Sequence, residues 1–354
     1  MDTVSKIRAQ LQETNLDALL VTSAANRRYV TGFPSSAGAL FITRSRAVFM
    51  TDSRYIEAAQ RAVKSAEVRP VTAKDTYSSH IKQIMEEENV AAVGFEEESM
   101  TYSEYQTWTQ KIGDVLRPAQ KILTNLRAAK SREELGALRA AQTIAEEAFY
   151  SILPMISTKI TERELATELI YRLLRCGADD ISFEPIVVSG IRSSMPHGVP
   201  GDDRIQKGFL TIDFGAKKNG WCSDTTRTLC VGEPTKEMRK VYDTVLSAQK
   251  AGIAAARAGI PGCDVDAAAR RVIEAAGYGD YFGHGFGHGL GLDVHEGPNL
   301  SPSNKEPLPV GAVVSAEPGI YIPGRFGVRI EDVLYLTEDG CENITTLPKH
   351  LVIV

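Results

Sequence analysis

LTIDFGAKKNGWCSDTTRTL, residues 210–229, holds two aspartates on either side of a turn signal. Asn219-Gly220 is a favoured dipeptide for a two-residue type I′ hairpin turn, because both positions need positive φ. That turn sets Asp213 opposite Thr226 and puts Asp224 on the same face, two positions along. Diagonal neighbours of this kind have backbones about 7–8 Å apart. Two carboxylates reaching across that gap suit one or two shared cations. A hairpin with two unrelated aspartates is the plainer reading of the same pattern.

Further along, SAEPGIYIPGRFGVRIEDVLYL (315–336) places two glutamates against apolar runs. Glu317 ends VGAVVSAE, and Glu331 sits inside VRIEDVLYL. A glutamate in such a run is costly to bury unless it is paired or coordinates a metal. Arg329, two residues before Glu331 and on its face if the run is one strand, is expected to orient it.

Between the hairpin and these glutamates lies GHGFGHGLGLDVHEGP, residues 283–298, with three of the chain's six histidines. It satisfies neither the dinucleotide fingerprint G-x-G-x-x-G nor a P-loop, since the glycines alternate and no Lys-Ser/Thr follows. His284 and His288 lack the glutamate of H-E-x-x-H, and the glycines disfavour a helix. The glycines are expected to let the backbone pass close to a substrate. Two aspartates, two glutamates and a histidine form a mainly hard ligand set, suited to two divalent ions that share carboxylates. Manganese or a similar first-row ion fits it better than a structural zinc site. Two such ions can polarise a carbonyl and activate water, which is machinery for hydrolysis.

The surrounding chain is that of an ordinary globular protein. Of its 354 residues, 43% are hydrophobic and 24% charged, and the net charge is −5. The first 130 residues are slightly basic and the rest acidic, which leaves no electrostatic footprint for nucleic acid. No apolar run is long enough for a membrane span, and the start carries no signal-peptide pattern. Five scattered cysteines without a C-x-x-C pair suggest a reduced, cytoplasmic protein.

DALLV, ALFIT, AVFMT, EVRPV and AAVGF read as strands alternating with helices through SRYIEAAQRAV, YSSHIKQIMEEEN and SEYQTWTQKI. The alternation predicts a small α/β domain over residues 1–125. Four longer helical patterns follow, at 131–153, 161–177, 235–256 and 264–277, interleaved with strand-like runs. Ser131 and Glu134 form a capping-box signal at the first of them. Residues 126–354 therefore read as a larger α+β domain, and no repeat of 20–50 residues is visible in it.

The order Asp213, Asp224, His288, Glu317, Glu331 resembles the five metal ligands of the pita-bread (M24) metallopeptidases. That family includes methionine aminopeptidase, Xaa-Pro aminopeptidase and Xaa-Pro dipeptidase (prolidase). NRRYVTGF (26–33) and TDSRYIEAA (51–59) resemble the N-terminal domain of the proline-specific branch, which methionine aminopeptidases lack. The resemblance implies a pita-bread catalytic domain after a creatinase-like N-terminal domain. It implies that Asp213 holds one ion, His288 and Glu317 the other, and that Asp224 and Glu331 bridge both. Manganese is the expected metal, with cobalt, iron or zinc as alternatives.

By the same resemblance Glu317 also takes the proton from the attacking water. His197 contacts substrate near the scissile bond, and His295 stabilises the oxyanion. His284 lines the proline side, with Tyr321 and Arg329 supporting it. His80 and His350 are left as structural residues. The implied activity is release of the residue preceding proline from Xaa-Pro peptides, by a homodimer. A strict dipeptidase needs a cation for the free proline carboxylate. Asn299 stands where some prolidases place an arginine, so longer peptides are favoured, with Arg325 or another subunit as other sources of charge. A metal-free amidinohydrolase and a silent peptide-binding module are the remaining alternatives within the fold.

Overall fold

The computed structural model describes residues 2–354. The chain divides into two compact units between Arg127 and Ala128.

The first unit is built on a six-stranded mixed sheet, in the order Glu67–Pro70, Ala47–Thr51, Ala39–Thr43, Ala18–Val21, Val93–Phe95, Leu116–Pro118. Its three central strands are buried along their whole length. Alternate residues serve two separate cores: Leu19, Val21, Leu40 and Ile42 face one, Ala18, Leu20, Ala39 and Phe41 the other. A sheet covered on both faces explains why these strands read as continuous apolar runs instead of alternating ones. All the helices and strands expected here are present. Three further helices, Thr3–Glu13, Ala24–Thr31 and Gln120–Ala128, and the Leu116–Pro118 strand accompany them.

The second unit opens on a helix pair, Arg132–Ile152 and Glu162–Arg175. Both begin with a complete capping box, Ser131 with Glu134 and Thr161 with Glu164. The pair buries Leu165, Leu169 and Leu173 against Ile212, Phe214 and Leu229 of the strands that follow, and Phe149 stacks on Phe214 with ring centroids 5.4 Å apart. Each such aliphatic side chain contributes roughly 1.5–3 kcal/mol by leaving water.

A second helix pair, Lys236–Ala255 and Gly262–Ala275, then packs on Phe286, Val314, Ile320, Ile330 and Leu334. The same order, a helix pair followed by antiparallel strands, thus occurs twice, although no repeat is visible in the sequence. Among the described residues no helix is long and apolar enough to cross a membrane.

Candidate active site

The hairpin forms with the expected register. Asn219 and Gly220 take φ of 49° and 83°, and Thr226 pairs with Asp213 across the Gly208–Phe214 and Thr225–Val231 strands. Asp224 immediately precedes the second strand. The Glu331 N–H donates to the Thr226 carbonyl at 3.1 Å, which brings the second glutamate to the same hairpin end. Glu317 follows the Val313–Ala316 strand and is seated by its N–H on the Phe286 carbonyl at 2.8 Å.

His288 lies in the short Gly287–Gly289 strand. Its N–H donates to Ser315 Oγ at 2.9 Å, and its Nδ1 lies 3.1 Å from the Gly289 carbonyl. A proton on Nδ1 given to that carbonyl leaves Nε2 facing the carboxylates, the usual way a ligating imidazole is oriented. Nε2 is 3.1 Å from Glu317 and 3.7 Å from Asp224. Asp224, His288 and Glu331 present ligand atoms all within 4.8 Å of one another.

The glycines around His288 have a further reason beside the one expected. A Cβ on Gly287 would lie 2.0 Å from the Ser315 carbonyl oxygen, and one on Gly289 would lie 2.4 Å from that of Gly297. These positions let neighbouring strands close on each other. At these two positions the chain itself supplies a constraint, while Gly285 and Gly287 also line the cavity described below.

Arg329 also departs from expectation. It ends the Phe326–Arg329 strand, whereas Glu331 precedes the separate Asp332–Leu336 strand, so the two share no strand face. Its guanidinium instead donates to Asp213 Oδ2 at 2.6 Å, to the Tyr321 hydroxyl at 2.8 Å and to Thr226 Oγ1 at 2.9 Å. Thr226 Oγ1 in turn donates to Glu331 Oε2 at 2.7 Å. The hydrogen-bond route from Arg329 to Glu331 runs through Thr226. Thr226 and Ser315, which also donates to Glu317 at 3.0 Å, are site residues that the sequence reading missed. Thr226 was already visible as the hairpin partner of Asp213, whereas nothing distinguishes Ser315 before the strands are assembled.

Electrostatically the cluster is under-neutralised. Burial, reinforced by neighbouring carboxylates, pushes the Asp224 and Glu331 carboxyls well above the usual range. Burial also raises Asp213, against the pull of Arg329. Burial alone would raise Glu317 too, but its hydrogen bond with His288 wins and brings it to about 2. Burial opposes charge on His288, and Glu317 overrides it, raising the imidazole to about 9. Asp213 Oδ1 and Glu331 Oε1 are buried without a hydrogen-bond partner. Unpaired buried oxygens beside mutually repelling carboxylates are what a cation would satisfy. The residues fit divalent ions, and His288 must give up its proton to act as a ligand.

These side chains line a cavity of about 590 Å³ that also takes in His197, His284, His295, Asn299 and Arg329. His295 stacks obliquely on His288, with ring centroids 4.3 Å apart. Burial and the neighbouring His288 hold it below the usual imidazole range. Burial likewise lowers His284, whose Nε2 is 3.1 Å from the Tyr321 hydroxyl. Tyr321 itself lies behind His284 and Arg329 and does not line the cavity. His80 is elsewhere, 3.0 Å from the Pro70 carbonyl.

The model of metallopeptidase family M24 matches residues 136–338, and that of the creatinase/prolidase N-terminal domain matches residues 4–129. The chain belongs to metallopeptidase family M24. This M24 metallopeptidase is 43% identical to an uncharacterized peptidase of Bacillus subtilis over 99% of each chain. It superposes on the Xaa-Pro dipeptidase from Bacillus anthracis with a TM-score of 0.96, at 39% identity and 99% coverage of each chain. The X-Pro aminopeptidase from Thermotoga maritima gives a TM-score of 0.91, at 35% identity and 100% coverage of each. The M24 enzyme thus has the expected architecture, an α+β pita-bread domain after a creatinase-type α/β domain.

Proposed function

We propose that the protein is a dinuclear-metal Xaa-Pro aminopeptidase that also cleaves Xaa-Pro dipeptides. The observation that carries this reading is the convergence of Asp213, Asp224, His288, Glu317 and Glu331 on one cavity wall, with buried oxygens left unsatisfied. Those five residues would hold two divalent ions, manganese first. Their chemistry there is polarisation of the scissile carbonyl and activation of water at neutral pH.

The chain's own groups supply the rest. Glu317, oriented by the Ser315 hydroxyl, takes the proton of the attacking water. His295, held below the usual imidazole range first by burial, offers an N–H to the oxyanion as charge develops. His197 contacts the substrate beside the scissile bond. The bond before proline is a tertiary amide without an N–H, so recognition must rely on ring shape. His284, backed by Tyr321 and Arg329, forms that side of the wall. This division of roles, like the cytoplasmic homodimer we propose with it, draws on the family resemblance.

Charge in the cavity favours substrates longer than a dipeptide. Among the described residues the cavity lining holds one arginine and no lysine, and that arginine, Arg329, is committed to Asp213. Arg325 is bound to Glu237 by two hydrogen bonds and does not line the cavity. A free proline carboxylate therefore meets Asn299 and no uncommitted arginine or lysine side chain of this chain. On manganese-loaded protein, kcat/KM for Xaa-Pro-Yaa is expected to exceed that for Xaa-Pro by about tenfold, the worth of one unmet charged contact. Faster cleavage of the dipeptide would overturn this preference, and no release from Xaa-Pro-Yaa would make the protein a strict dipeptidase.

A further inference from the structure

Glu162 has no role in the site described above, yet it is fully buried and ionisable. It occupies the first turn of the Glu162–Arg175 helix, where Thr161 and Glu164 already complete the cap. Its carboxylate instead accepts four hydrogen bonds from outside the helix. Ser189 donates from N–H at 2.8 Å and from Oγ at 3.0 Å, Arg192 from Nε at 3.0 Å, and Gly201 from N–H at 3.1 Å. Arg192 then donates through Nη2 to the Val199 carbonyl at 2.5 Å. The two side chains clasp both ends of the segment 189–201.

That segment carries Pro196, His197, Gly198, Val199 and Pro200, five consecutive residues of the cavity wall. It buries little apolar surface of its own, since Ile191, Met195 and Val199 are 56%, 50% and 75% exposed. Its shape therefore depends on polar anchors more than on packing. On the inner side Arg329 donates to the Pro196 carbonyl at 3.2 Å, and the Gly327 N–H to Ser193 Oγ at 3.0 Å. The outer anchor is the Glu162–Arg192 clasp.

We propose that Glu162 and Arg192 are positioning residues that set the 189–201 segment so that His197 meets the substrate. The inference rests on the reading of His197 as a substrate contact. Arg192→Ala frees the Val199 carbonyl and one side of the carboxylate, and Arg192→Lys can restore a charge but not the two-point grip.

The test is a double-mutant cycle on the manganese-loaded full chain. It uses Arg192→Ala, Arg192→Lys, His197→Ala and the double variant Arg192→Ala/His197→Ala, with Xaa-Pro-Yaa as substrate. Arg192→Ala is expected to lower kcat/KM by about 10–30-fold with metal content unchanged, and Arg192→Lys by less. In the His197→Ala background the same change is expected to cost under about twofold. Amide hydrogen exchange at Ser189 and Gly201 is expected to quicken in Arg192→Ala, because both amides lose a fixed acceptor geometry. An equal loss in both backgrounds, loss of metal, or unchanged exchange would overturn the proposal. If His197→Ala is impaired and Arg192→Ala is not, the positioning role fails while the reading of His197 stands. If His197→Ala cleaves normally, that reading fails and the proposal with it.

Discussion

Asp224→Asn is expected to abolish metal binding and lower turnover by at least about 10³-fold, yet to raise the melting temperature of the metal-free protein. Both effects have one cause. Asp224 is buried beside Glu331, Asp213 and Glu317, and its carboxyl is pushed well above the usual range by burial and by those charges. A group whose proton is held more tightly in the folded chain contributes stability that is full below its unfolded pKa. That contribution declines as pH rises toward the folded value. Removing the ionisable carboxyl therefore relieves nothing near pH 4 and progressively more toward neutral pH. A gain of roughly 1–3 kcal/mol at neutral pH corresponds to a few degrees or more in a domain of this size. Calorimetry of metal-free wild type and variant between pH 4 and 7.5 checks the sign. Manganese should raise the wild-type melting temperature and leave the variant unmoved. A variant that melts lower at every pH would mean that Asp224 is paired in a way the electrostatics do not capture.

His295→Ala is expected to separate chemistry from metal binding. The His295 ring lines the cavity beside His288, and the family resemblance places it outside the five ligands. Burial, with a smaller push from His288, holds its imidazole below the usual range, which favours the neutral ring with one N–H to offer. Loss of a donor aimed at developing negative charge costs about 10²–10³-fold in kcat, with KM and metal content nearly unchanged. Equal loss of metal from His295→Ala and Asp224→Asn would show that His295 belongs to the ligand set and that the assigned roles are wrong.

The hairpin and its two aspartates were legible because an Asn-Gly turn fixes the register, and register fixes which side chains face each other. The Ser131–Glu134 capping box likewise marked where the helix at Arg132 begins. The Ala24–Thr31 helix was not legible. It buries Asn26 and Arg27, and polar residues on the inner face erase the hydrophobic period. Asn26 there donates to Glu96, itself fully buried, so a polar network replaces the apolar stripe.

The partner of Arg329 was misread for a related reason. Proximity in sequence suggested Glu331, but the strand ends between them, and the guanidinium turns to Asp213, 116 positions away. Ser315 and the Glu162–Arg192 clasp depend on strands and loops brought together only by the fold. The glycines near His288 show the same limit. Their spacing was visible, but the carbonyls that forbid a Cβ belong to neighbouring segments.

The central claim is that two metal ions held by these five residues drive peptide hydrolysis. Metal content per chain should be measured on full-length protein loaded with manganese and desalted, alongside release of the N-terminal residue from Xaa-Pro-Yaa. The account predicts about two ions per chain, with release that vanishes on chelation and returns when manganese is restored. Release that persists in the chelated protein, or two bound ions with no release from either Xaa-Pro or Xaa-Pro-Yaa, would contradict it.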